Sequence, residues 1–332
     1  TGGSLADRAG FRVKLNFGED SQFTGGSNFA DEVDFQEVYA QFIAPLGNGI
    51  DLRVGRQNTL IGYEVIESPY NPNFSRSWLF GIGEPFTTTG IRLAYTVNPY
   101  LAFAIGGISS FTQGPGDTNR GKSLEAAIYL TPHDLVSLTG FFFWGPEPSP
   151  KNANVSSLNL IQGGGILTAQ ITPQTSFVIE GYYANQEGAN AIVSGKNARW
   201  NGIAGYLIHD FTDQWGIRIR GEIFEDAGGS RTCGGTAGLT ATGTSKTNVC
   251  FGATAPDTTK VNGNEVPTVG STGLPRAQTL WETTFTLQYA PIPSLITRLE
   301  FRYDKSNKNT FQFGTRAANH QETLSGEVIF LF

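Results

Sequence analysis

Apolar and polar residues alternate one for one along much of this chain. In segment 11–17, Phe11, Val13, Leu15 and Phe17 fall on one side, and Arg12, Lys14 and Asn16 on the other. The same division separates Ile91, Leu93, Tyr95 and Val97 from Arg92 and Thr96. It separates Trp215, Ile217, Ile219 and Ile223 from Arg218, Arg220 and Glu222, and Leu299, Phe301 and Tyr303 from Arg298, Glu300, Arg302 and Asp304. The last residues repeat it, with Leu324, Gly326, Val328, Phe330 and Phe332 interleaved by Thr323, Ser325 and Glu327. A helix would repeat apolar positions every three and four residues, so these segments are strands with one greasy and one wet face.

The connections alternate as well. Short turns at 45–49, 98–100, 131–134, 172–174, 212–214 and 291–294 take turns with polar stretches at 18–32, 59–86, 112–121, 145–157, 185–198, 226–276 and 305–320. A soluble β-sandwich also alternates in hydropathy, but nothing obliges every second hairpin to be long. A barrel in an outer membrane shows that asymmetry, with short periplasmic turns and long extracellular loops. An open sheet edge cannot survive in lipid, so the strands must close. The expected fold is all-β: a closed antiparallel transmembrane β-barrel of about 14 strands (range about 12–16), with residues 1–332 as one barrel domain. Its last strand is expected to pair with "FRVKLNF" at 11–17, with Phe330 and Phe332 in the interfacial aromatic belt.

Composition fits this picture. Of 332 residues, 39% are hydrophobic and 12% aromatic, and 42 are Gly. Half-wet strands keep the mean hydropathy at −0.19 without excluding a membrane. No run approaches the ~18 apolar residues of a spanning helix. The net charge of −6 argues against nucleic acid, which calls for a basic face. The chain has no Met, even at position 1, so a removed or missing leader is expected.

Cys233 and Cys250 lie in a Gly-, Thr- and Ser-rich stretch, and an oxidising compartment would let them close a loop. No further ligand stands near them for a metal, and no cofactor is expected. The three histidines, His133, His209 and His320, map to different ends of the barrel, which disfavours a hydrolase. Gly163–Gly165 lacks the Lys-Ser/Thr and helix of a phosphate loop.

The segments "EVYAQFIAPLGNGIDLRVGRQ" (37–57) and "GYEVIESPYNPNFSRSWLFGIGEPFTTTGIRLAY" (62–95) carry a resemblance. Gly55-Arg56 closing a strand, Gly62-Tyr63-Glu64, Asn73-Phe74-Ser75-Arg76-Ser77 and Gly83-Glu84-Pro85 resemble the beta-barrel porin family of the type-two, OmpL-like kind. The resemblance implies an integral protein of a bacterial outer membrane, in contact with its lipid and lipopolysaccharide. It also implies passive passage of small hydrophilic solutes, and a homotrimer, as in many porins.

Fourteen tilted strands give a backbone diameter of about 30 Å, too wide for wall side chains to fill. Segment 59–86 is long yet rich in Tyr63, Tyr70, Phe74, Trp78, Leu79 and Phe80, so it is expected to fold inward as a constriction carrying Glu64, Glu67 and Arg76. Packing over a rim or a neighbouring subunit is the alternative. Parity puts Arg12, Lys14, Arg53, Arg92, Arg218, Arg220, Arg298 and Arg302 on the lumen wall. With them go Glu37, Asp51, Glu125, Glu180, Glu222, Glu282, Glu300, Asp304 and Glu327. Arg56 has the wrong parity and needs a bulge or a rim position to reach water.

Three functions suit such a barrel: a general diffusion porin, a sugar- or anion-selective channel, or a structural or adhesive barrel plugged by its own loop. Inward aromatics (Tyr39, Tyr129, Phe141, Phe143, Tyr182 and Phe224) keep the second open, and the long 226–276 loop the third.

Overall fold

The computed structural model describes residues 8–18, 21, 33–111, 121–147, 158–232, 259–261, 264–266, 276–313 and 316–332. Cys233 and Cys250, with most of the 226–276 connection, lie outside these residues, and so does the expected disulfide.

The alternating segments form β1 (Ala9–Phe17), β2 (Val33–Ala44), β3 (Ile50–Asn58), β4 (Thr87–Asn98), β5 (Leu101–Ile108), β6 (Ser123–His133) and β7 (Val136–Pro146). They continue as β8 (Asn159–Thr172), β9 (Thr175–Gln186), β10 (Ala198–Asp210) and β11 (Trp215–Asp226). After a two-stranded ribbon, β12 (Thr259–Val261) and β13 (Asn264–Val266), come β14 (Gln278–Ile292) and β15 (Leu295–Ser306). A second ribbon, β16 (Phe311–Phe313) and β17 (Arg316–Ala318), precedes the last strand, β18 (His320–Phe330). Fourteen of these strands form one antiparallel sheet whose neighbours follow chain order from β1 to β18, with the ribbons set apart. Each short turn and each long connection falls where the sequence pattern puts it.

One face of the sheet is apolar and exposed. Phe11, Ile91, Phe103, Ile128, Phe142, Ile203, Ile223, Phe285, Leu299, Phe301, Leu324 and Val328 all stand on it. A water-soluble monomer does not expose such a belt, whereas lipid covers it at no cost. Trp215 stacks on Tyr289 with ring centroids 4.3 Å apart, and Phe330 on Phe332 at 6.5 Å, both at the short-turn end. Such rings favour the membrane interface.

The opposite face curls around residues 59–86. Laid flat, fourteen strands would span about 60 Å. Yet adjacent residues of this one segment reach both ends of the sheet: Glu67 pairs with Lys14 of β1, and Ser68 donates to Glu327 of β18. Between those ends the segment touches β2, β8, β9, β10, β11, β14 and β15. The barrel is therefore rolled around its own chain, and the seam where β1 must meet β18 lies beside Glu67 and Ser68.

Two local irregularities set which side chains face inward. The register of β1 on β2 shifts between Lys14 and Leu15, so that Gln36 is the extra residue and both Gln36 and Glu37 turn in. In β3, Gly55 has φ 139°, a conformation reserved for glycine. The kink swings the next residue inward, and Arg56 sits buried on Asp34 at 2.8 Å. A Cβ on Gly55 would overlap the Val38 carbonyl oxygen. Gly55→Ala is therefore expected to destabilise the barrel by about 1–3 kcal/mol. A fall in the urea midpoint of vesicle-folded protein would show it, and an unchanged midpoint would mean that Arg56 reaches Asp34 without the kink.

Candidate functional site

Residues 59–86 leave β3 and return as β4, making an inward excursion between two neighbouring strands. The segment has little regular structure beyond a 3₁₀ turn at Ser68–Tyr70 and one π-type turn at Leu79–Gly83. Its apolar side chains hold it to one half of the wall. Ile61, Trp78, Leu79 and Ile82 pack on Phe141, Phe143, Val178, Tyr182, Trp200, Tyr206, Phe224 and Leu280. Ile66, Phe80 and Phe86 form a smaller cluster, with Phe80 stacked on Phe86 at 4.7 Å. Tyr70 stays exposed, and Phe74 partly so.

Irregular backbone at membrane depth needs polar partners, because lipid offers none. The wall supplies them by charge type. Carboxylates take the segment's N–H groups: Glu180 that of Tyr63 at 3.2 Å, Glu300 those of Phe74 and Ser75 at 2.7 and 2.9 Å, and Glu222 those of Trp78 and Leu79 at 2.5 and 3.1 Å. Guanidiniums take its carbonyls: Arg298 those of Ser68 and Asn71, Arg220 that of Ser75, and Arg302 that of Arg76. The Trp200 indole and the Gln162 amide both donate to the Gly83 carbonyl, and Tyr182 donates to that of Leu79. Wall and segment are thus complementary at these main-chain groups.

The charged residues expected from sequence divide into two sets. Glu64 of the segment meets Arg220 at 2.7 Å with neither side chain exposed, and Arg220 also holds Glu282 at 2.7 Å. Arg302 pairs with Asp304 at 2.8 Å and Arg298 with Glu327 at 3.0 Å, so β11, β14 and β15 present their charges to the segment and to each other. Arg218 pairs with Asp210 near the short-turn mouth. Arg76 donates to the carbonyls of Val65, Ile66 and Phe74 and so braces its own segment.

Along β1–β6 the second set is mixed, with Arg12, Lys14 and Arg53 partly exposed and Arg92 with Glu125 buried. Arg12 pairs with Glu37 at 2.8 Å, Lys14 with Glu67, and Arg53 with Asp51 at 2.7 Å beneath the Tyr39 ring. Arg92 and Glu125, 2.7 Å apart, are buried beside Thr88. Of the six inward aromatics, Phe141, Phe143, Tyr182 and Phe224 are covered by the segment and Tyr39 is buried, while Tyr129 stays exposed.

One group escaped the sequence reading. Glu84 is fully buried, and neither carboxylate oxygen has a hydrogen-bond partner. Burial pushes its carboxyl well above the usual carboxylate range, with Glu180, Glu64 and Glu222 pushing the same way. Burial, then Glu64 and Glu180, pushes the Tyr63 hydroxyl up to about 12. The Gly83-Glu84-Pro85 run was visible as a motif, but nothing in it says that the carboxylate faces a second one.

Several solved structures share this architecture. OmpT, an outer membrane protein of Vibrio cholerae, superposes with a TM-score of 0.55 at 9% identity, covering 99% of this chain and 86% of that one. The anion-selective porin from Comamonas acidovorans gives 0.55 at 9% identity, covering 97% and 82%. OprB of Pseudomonas putida gives 0.53 at 11%, again covering 97% and 82%. At such identities the likeness is one of fold. No curated protein sequence matches the chain. A fourteen-stranded sheet with a lipid-facing belt, a charged inner face and an irregular segment inside it belongs, with the family match below, to an outer-membrane porin, a passive diffusion channel. More narrowly, the chain belongs to the family described as Putative beta-barrel porin-2, OmpL-like, whose pattern matches residues 4–332.

Proposed function

We propose that small hydrophilic solutes pass along the β1–β6 wall, beside a constriction formed by residues 59–86, and that small anions pass preferentially. The single observation behind the preference is the sense of three ion pairs. Arg12 is 53% exposed against 9% for Glu37, Lys14 24% against 18% for Glu67, and Arg53 32% against 19% for Asp51. In the Arg12–Glu37 and Arg53–Asp51 pairs the cation is the more exposed partner and the carboxylate lies against the wall, and in the third the wall's Lys14 is more exposed than Glu67 of the inward segment, so the path carries a positive lining although the chain is acidic. At the short-turn mouth the sense reverses, with Asp210 more exposed than Arg218, but a mouth is wide and screened.

Reversal potential under a KCl gradient across a planar bilayer tests this. The expected sign is that of chloride, with Arg12→Glu and Arg53→Glu together moving it towards potassium. A potassium-selective native channel would overturn the preference while leaving the porin itself intact.

The trimeric state implied by the family has support on the lipid-facing side. Gly140, Gly165 and Gly181 pair in one row across β7, β8 and β9, and Gly205 pairs with Gly221 across β10 and β11. This leaves a shallow stretch of wall where a second copy can approach closely. Cross-linking from this face, against none from a β2–β4 position, is the expected pattern.

A further inference from the structure

Glu84 and Glu180 flank one dipeptide. The Tyr63 N–H donates to one Glu180 oxygen at 3.2 Å, and the neighbouring Gly62 lies against the Glu84 carboxylate, where any Cβ would overlap it. Gly62 also has φ 93°, so both its conformation and its contact exclude other residues. The approach of this backbone to Glu84 is therefore built in.

The carboxylates lack compensation. Both Glu84 oxygens, the second Glu180 oxygen and the Tyr206 hydroxyl have no hydrogen-bond partner. Tyr206 belongs to the same place, its ring 4.8 Å from that of Tyr63. Neither Glu84 nor Glu180 has an ion-pair partner among the described residues: Arg220 is taken by Glu64, Glu282 and the Ser75 carbonyl, and the partly buried Arg231 donates to the Ile82 carbonyl. Glu64 and Glu222 add further negative charge nearby, each with its own donors. A buried pair of bare carboxylates is not stable, and something positive must join it.

A proton on each carboxyl would cancel the charge but would still leave the three bare carboxyl oxygens and the Tyr206 hydroxyl without partners. A hard cation satisfies several at once, and two carboxylates match a charge of two. We propose that Glu84 and Glu180 bind one divalent cation of the calcium class, with the Tyr206 hydroxyl alongside. Among the described residues no three acidic, His or Cys side chains are grouped around a point, so water completes the shell, as oxygen-only calcium sites allow. Gly62 lies near the start of the inward segment and Glu84 near its end. The ion therefore ties both ends of the excursion to β9.

Terbium titration of the folded, chelator-stripped protein in detergent tests this, with luminescence excited through Tyr63, Tyr206 and Trp200. Saturable sensitised emission is expected from the native chain, displaced by calcium, and its loss is expected in Glu84→Gln and in Glu180→Gln. A native chain that shows no saturable emission, or a Glu84→Gln protein that keeps it, overturns the proposal. Should both variants fail to fold, elemental analysis of native protein equilibrated with calcium and then desalted decides. One retained calcium per chain supports the site, and none overturns it in favour of bound protons.

Discussion

Arg220→Ala is expected to cost about 3–5 kcal/mol, the largest effect of any single side chain in the barrel. The guanidinium is fully buried and serves Glu64, Glu282, the Ser75 carbonyl and the Ser75 hydroxyl. Its removal strands two carboxylates where water cannot reach them and cuts the inward segment from β11. Urea unfolding from lipid vesicles should show the loss, and single-channel records should become noisy as residues 59–86 leave their seat. The triple variant Arg220→Met, Glu64→Gln, Glu282→Gln should recover much of the stability, because breaking a buried network costs more than replacing all of it. A loss under about 1 kcal/mol for Arg220→Ala would show that the triad is solvated and that the segment is held by its apolar contacts alone.

Arg220 illustrates a general division in this lumen. An inward charge can line water, or it can replace water for a stretch of backbone that has none. Glu180, Glu222, Glu300, Arg220, Arg298 and Arg302 do the second, each bonded to main-chain groups of the inward segment. Arg12, Lys14 and Arg53 remain for the first. If the proposed path along β1–β6 holds, substitutions on the two halves of the wall should have separable consequences, for selectivity on one and for rigidity on the other.

That division was not legible in the sequence, and the reason is physical. A period of two assigns a residue to a face, which is why the fourteen strands and the alternating loops could be read directly. Parity is silent about what stands opposite. Phe141, Phe143, Tyr182 and Phe224 looked like a candidate aromatic track, yet Leu79 and its neighbours cover them. Arg56 had the wrong parity, and the remedy lay in the glycine before it, whose φ of 139° no periodicity encodes. Glu84 was hidden differently. It sits in a loop without periodicity, and its meaning depends on Glu180, 96 positions later in the chain.

Excising residues 59–86 should enlarge the channel severalfold. Asn58 and Thr87 are direct cross-strand partners, so an Asn-Gly turn can join β3 to β4 as an ordinary hairpin without disturbing either register. The freed bore approaches the backbone diameter of about 30 Å less one layer of side chains, and conductance grows with the open cross-section. Ion preference should shift as well, because Glu180, Glu222 and Glu300 would then face water with their donors gone. Stability should fall, since Tyr182, Trp200, Tyr206 and Phe224 lose their apolar cover and the bridge from Lys14 through Glu67 and Ser68 to Glu327 disappears. A folded deletion with native conductance would place the constriction elsewhere and sink the assignment. If the deletion does not assemble, Gly83→Val offers a gentler route. Its side chain would collide with the Tyr182 hydroxyl and push the π-type turn off the wall. Current through that variant should flicker between native and larger levels if the turn is what narrows the bore.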